Sequence, residues 1–263
     1  MLNRRFSRAS AIVAIALSVA ILASGCAHTF SPNDVLDRAY GPYDIARSCW
    51  LVYREDPFLK QTLPHCVKLD SARKIATASG TRWYVFASAS AIEGAVHSSS
   101  GFVGAFVLEQ RAGKWTVMAS EAQFNARMGQ GGSAPENPTL VALGPDDFYG
   151  WITSEEYCYQ GYCGSAATIL APKGSAIVEL ANFGDSTDDL GVSGDENLAT
   201  TLTATVEPDT SVPATTAYPL RVTVQGTVEG KKAPPETWTF PFDTTLWRYR
   251  VPEDYPMSRM NGT

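Results

Sequence analysis

The chain has 263 residues, 44% hydrophobic and 18% charged, with 21 Lys and Arg against 27 Asp and Glu for a formal net charge of −6. That much apolar material excludes a disordered or collagen-like polymer, because a core can be buried. The acidic balance, with a pI near 5.1, excludes a protein that grips nucleic acid by neutralising phosphates, which needs an excess of Lys and Arg.

In chain order, Arg4, Arg5 and Arg8 form a basic start, and Ala11 to Ala23 is an uncharged apolar run of 13 residues. Thirteen helical residues span about 20 Å, short of the ~30 Å hydrocarbon core, so the run has the length of a signal-peptide core and not of a membrane span. It ends in Leu22-Ala23-Ser24-Gly25-Cys26, which resembles the lipobox of bacterial lipoproteins, with Ala23 where Leu is commonest. The resemblance covers the signal region only. It implies cleavage before Cys26, a diacylglycerol thioether on its sulfur and an acylated amine. Ala27 after the Cys, in place of Asp, implies passage to the outer membrane, facing the periplasm. Three acyl chains would make that anchor effectively permanent. A plain secretory signal with an incidental Cys is the alternative.

Ser31-Pro32 supplies a cap and a first-turn proline, Val35, Leu36 and Ala39 share a face, and Gly41-Pro42 stops the one short N-terminal helix. The remainder reads as strands. Trp83 to Phe86, Phe102 to Glu109 and Trp115 to Met118 are aromatic and β-branched, with Arg111 to Lys114 as a hairpin turn. Further strands are expected at Thr168 to Leu170, Ala176 to Leu180, Ala199 to Val206, Leu220 to Val228 and Thr237 to Phe242. The expected class is all-β, an antiparallel sandwich or barrel. A small β-propeller is the alternative, because Trp83-x-Val85-x-Ala87-Ser88 recurs as Trp115-x-Val117-x-Ala119-Ser120. Pro208 to Pro219 reads as a linker or a long loop. The expected division is a signal peptide at 1–25, a lipidated tether with the helix at 26–45, and a single disulfide-containing β domain at 46–263.

With Cys26 set aside, Cys49, Cys66, Cys158 and Cys163 are an even number for an oxidising compartment. Local closure favours Cys49–Cys66 and Cys158–Cys163 among the three possible pairings. A zinc site would need His65 and Cys66 beside Cys158 and Cys163, without the usual ligand spacing.

Charge is segregated. Residues 128–220 carry Lys173 as their single basic residue against 13 acids, a stretch that must project negative potential over some part of the surface. Within it, residues 148–162 hold six aromatics. Asp146, Asp147, Tyr149, Trp151, Glu155, Glu156, Tyr157, Tyr159 and Tyr162 are therefore the candidate binding residues for a basic envelope protein. Tyr and Trp give large contact area for few frozen torsions, a disulfide at Cys158–Cys163 would stiffen the loop, and the acids would steer the partner. The competing reading makes the alternate aromatics core and the acids a solvated face. A second acidic cluster holds Asp185, Asp188 and Asp189, weak candidates for calcium because the spacing misses the EF-hand template; no cofactor is otherwise expected.

Catalytic patterns fail on inspection. Ser71-Ala72-Arg73-Lys74 matches SxxK without its companion elements. His97 has Ser98 to Ser100 and Glu93 nearby but no nucleophile elbow. Gly129-Gln130-Gly131-Gly132 does not open a helix as a phosphate loop must. A carboxylate pair such as Asp146 with Glu155 is left open by sequence. No catalytic residue is assigned, and a non-enzymatic binding protein is expected, with a structural lipoprotein and a wall hydrolase as alternatives.

Overall fold

The computed structural model describes residues 30–56, 58–111, 113–125 and 130–258; the signal segment and Cys26 lie outside them. Ser31 caps helix α1 (Pro32–Tyr40) by accepting from Asn33 N, Asp34 closes the capping box, and Gly41 ends it with a positive φ. Capping settles where the helix begins, but packing holds it: Val35 and Leu36 are buried against the first layer of sheet.

That layer is a meander of β1 (Tyr43–Asp44), β2 (Cys49–Glu55), β3 (Thr62–Thr77), β4 (Gly80–Ala91), β5 (Phe102–Arg111) and β6 (Lys114–Asn125). The second comprises β7 (Glu136–Ala142), β8 (Tyr149–Tyr159), β9 (Tyr162–Lys173) and β10 (Ala176–Asp188), followed by the short α2 (Leu190–Ser193). The third comprises β11 (Thr201–Pro208), β12 (Leu220–Val228) and β13 (Lys231–Phe240), with the small pair β14 (Phe242–Asp243) and β15 (Arg248–Tyr249) after it. Neighbouring strands are antiparallel throughout, except for one parallel bridge, Ser120 to Ala176, that ties β6 to β10.

Side-chain alternation explains the stacking. On β4, Val85, Ala87 and Ala89 face α1, while Tyr84 and Phe86 face Trp151 and Leu170 of the second layer. On β9, Leu170 faces the first layer, while Ala167, Ile169 and Ala171 face Leu220, Val222 and Phe240 of the third. Strands β5 and β9 are buried on both faces and accordingly read as continuous apolar runs.

The all-β class is as expected. The hydrogen-bonded path runs openly from β1 to β13 without closing into a barrel, and the layers stack face to face as in a sandwich. The repeated Trp motif marks β4 and β6, which flank β5 and bring Trp83 and Trp115 to 6.4 Å on one face. Residues 209–219 are a long loop joining β11 to β12, pinned by Asp209 N donating to Pro219 O.

Candidate functional site

Because successive strands alternate in direction, the loop 92–101, the β8–β9 turn and the loop 189–200 fall at one end of the stack. The turn is two residues, Gln160 and Gly161, with φ of 50° and 87°, the conformation that joins twisted strands tightly. Behind it Tyr159 pairs with Tyr162 and Cys158 with Cys163. The two cysteines are bridged with a Cα separation of 4.0 Å, which the close approach of a non-hydrogen-bonded antiparallel pair makes possible. The other bridge, Cys49–Cys66, joins β2 to β3. Both local pairings expected from spacing are present.

Tyr159 and Tyr162 are 63% and 47% exposed despite lying beside the clamp. The tip rests backbone to backbone on α2: a Cβ at Gly161 would come within 2.8 Å of Gly191, and one at Gly191 within 2.6 Å of Gly161 O. Glycine at both positions is what allows the contact. The Tyr159 ring lies 6.4 Å from that of His97, so loop 92–101 supports the hairpin from the other side. The loop that meets the hairpin tip exposes Leu190, Val192 and Leu198, an apolar feature that sequence reading missed. Its signal was faint: three apolar residues in a run otherwise of Asp, Gly, Ser, Glu and Asn.

The acids here have structural work of their own. Asp188 Oδ1 accepts from Leu190 N at 2.8 Å, Asp189 Oδ1 from Thr200 N at 2.6 Å, and Asp195 Oδ1 from Asn197 N at 2.9 Å. These bonds fold the loop and leave its negative charge at the surface beside exposed Glu196. The calcium candidates are corrected accordingly. Asp188 and Asp189 cap backbone amides, Asp185 sits inward at a β-bulge on β10, and no described group of three acidic, His or Cys side chains is arranged around a cation. Burial pushes the Asp185 carboxyl above its ordinary range, against the Ser165 and Ser154 hydroxyls that favour the anion.

The nine candidate binding residues do not form one patch. Strand β8 runs for 11 residues, roughly 33 Å at ordinary strand rise, and it separates Asp146 and Asp147 from the hairpin tip. Asp147 belongs to the opposite end, where its Oδ2 accepts from Ala78 N at 2.7 Å. Tyr149 is half-buried against Tyr84, ring centroids 5.6 Å apart. Trp151 is fully buried on Tyr84 and Phe86, and Glu155 is 6% exposed. Trp151 and Glu155 are therefore corrected from surface contacts to interior residues, since alternation turns both toward the first layer. What stays together is half-buried Tyr157 with exposed Glu156, Tyr159 and Tyr162.

The catalytic candidates do not assemble either. Asp146 and Glu155 are separated by most of β8, well beyond the 5–10 Å of a glycosidase carboxylate pair. Ser71 and Lys74 lie on strand β3. Ser99 is buried with its hydroxyl accepting from Val96 N at 3.0 Å, while His97 Nδ1 lies 3.5 Å from Gln130 Nε2. No protein-family model, curated protein or solved structure matches the chain.

Proposed function

We propose that the chain is a lipid-anchored binding protein of the cell envelope, without catalysis, that engages a basic envelope protein through the Tyr159–Tyr162 end. In its most specific version the partner is a cationic enzyme and the chain its inhibitor or immunity protein. One observation carries this: two exposed tyrosines sit on a hairpin whose tip is fixed by a disulfide and by α2, beside a loop that exposes the carboxylates of Asp195 and Glu196. A surface already held in its bound shape loses little entropy on association, and the acids raise the encounter rate of a cation. Anchoring at Cys26 in the outer membrane, facing the periplasm, is part of the proposal and rests on the lipobox resemblance.

The test is capture from envelope extract by the chain from residue 27, washed at low and then high salt. The expected result is one basic protein in stoichiometric amount, released by salt and absent when Tyr159→Ala and Tyr162→Ala are combined. Capture unchanged by that double variant would overturn the proposal. A docking role in an envelope assembly is the second reading, favoured by exposed Leu198 and Val192; there the partner survives high salt and is lost on Val192→Asp.

A further inference from the structure

At the opposite end of the strands, beyond α1, the outer face of the first layer carries an open groove of about 860 Å³. Its floor is aromatic. Phe30 stacks on Trp115 at 5.3 Å, Trp83 lies 6.4 Å away, and Lys74 Nζ stands 5.9 Å from the centre of the Trp115 ring. Its rim is cationic: Arg38 from the last turn of α1, Lys74 from β3 and Lys114 from the β5–β6 turn are all exposed. Two carboxylates also line it, and both are engaged. Asp34 accepts from Ser31 N at 2.8 Å and Asp37 from Trp50 Nε1 at 2.7 Å. Among the described residues none of the three rim cations is ion-paired. Three cations against two carboxylates leave the groove one positive charge in excess on a chain of net charge −6, which favours an anionic counterpart.

Chain length suggests what that counterpart is. Phe30, one wall of the groove, is four residues after Cys26, a reach of at most ~14 Å. If Cys26 carries lipid, as proposed above, the groove is held within that distance of the headgroup layer. Trp rings partition to the membrane–water boundary, and Lys and Arg there meet phosphate while their stems lie along apolar surface.

We propose that the groove is a docking site for anionic phospholipid headgroups, with phosphate against Arg38, Lys74 and Lys114 and the Trp83 and Trp115 rings at the boundary. The domain then lies with this face on the membrane. The Tyr159–Tyr162 end, at the far end of the strands, is directed away from it and open to a partner.

The chain from residue 27, which keeps every described residue but no acyl chain, is sedimented with vesicles of phosphatidylcholine alone and of phosphatidylcholine with phosphatidylglycerol in a three-to-one mixture. Binding to the anionic vesicles only is expected, with tryptophan emission quenched by brominated lipid. Lys74→Glu with Lys114→Glu should weaken partition by about tenfold or more at an unchanged melting temperature. Lys231→Glu with Lys232→Glu, at the other end, should leave partition as it was. Equal binding to both vesicle types, or undiminished binding by the Lys74→Glu, Lys114→Glu chain, would overturn the groove. Labelled palmitate on the full-length protein separates this from the anchor. Label without a vesicle preference counts against the groove alone, and vesicle preference without label counts for the groove and against the anchor.

Discussion

Gly104 on β5 lies directly beneath the Tyr40 hydroxyl, in the space a Cβ would fill, and that hydroxyl donates to Ala122 O at 2.7 Å. One glycine therefore seats α1 on the sheet. Gly104→Ala should destabilise the protein by about 1–3 kcal/mol, and much of that loss should disappear in a Tyr40→Phe background, where the clashing oxygen is gone; denaturant melts of the double-mutant cycle measure the coupling. Asp185 makes a second residue-scale prediction. Burial raises its carboxyl above the ordinary 3.8, so its contribution to stability is complete at low pH and is lost as pH rises through the folded value. Asp185→Asn should thus melt higher than the parent at neutral pH, with the gap closing as pH falls through the raised folded value toward 3.8. A destabilising effect at neutral pH would contradict this. Neither position was legible in sequence, because a Gly within an apolar run and an Asp within a polar run reveal nothing of what faces them.

At the scale of elements, α1 was readable to its caps because Ser31, Pro32 and Gly41 act locally. Strand β5 was readable because it is buried and apolar, whereas only residues 168–170 of β9 and 176–180 of β10 were, since the polar residues toward Asp188 read as a solvated loop. Strand β8 was harder. Its aromatics and acids read equally as a recognition loop or as an alternating strand, and only the partner layers decide that Trp151 and Glu155 point inward while Glu156 points to water. Strand β3 was legible only at residues 71–74, which read as strand and turn, because much of the rest is exposed and carries Lys68 and Asp70, residues that strand preference disfavours. The Cys158–Cys163 bridge was legible from spacing, and its role is testable. Cys158→Ser with Cys163→Ser should cost about 2 kcal/mol of stability by loop closure. It should also weaken the captured partner by roughly tenfold, because two tyrosines must then be ordered on binding. Unchanged affinity would mean that the clamp serves the fold alone.

Across the whole molecule, the sequence separated an acidic middle segment from its flanks, and folding divides that segment between two ends, with Asp146 and Asp147 at one and Asp195 and Glu196 at the other. The hairpin end gathers exposed tyrosines, Leu198 and the carboxylates of loop 189–200, while the groove end gathers Arg38, Lys74 and Lys114. What sequence could not supply was the roughly 33 Å of β8 between Asp147 and Tyr159, which divides residues that look contiguous on paper. With the acids steering association, the on-rate of a basic partner should fall steeply as ionic strength rises while its off-rate changes little, a contrast that surface plasmon resonance resolves. The most direct measurement of where the partner sits is photocrosslinking in living cells, with a benzophenone amino acid at Tyr162 and, in a separate strain, at Thr239 of β13 as a distant control. A discrete adduct with one basic envelope protein from position 162 and none from position 239 is the expected result. No adduct from position 162, or the same adduct from both, would contradict binding through the hairpin end.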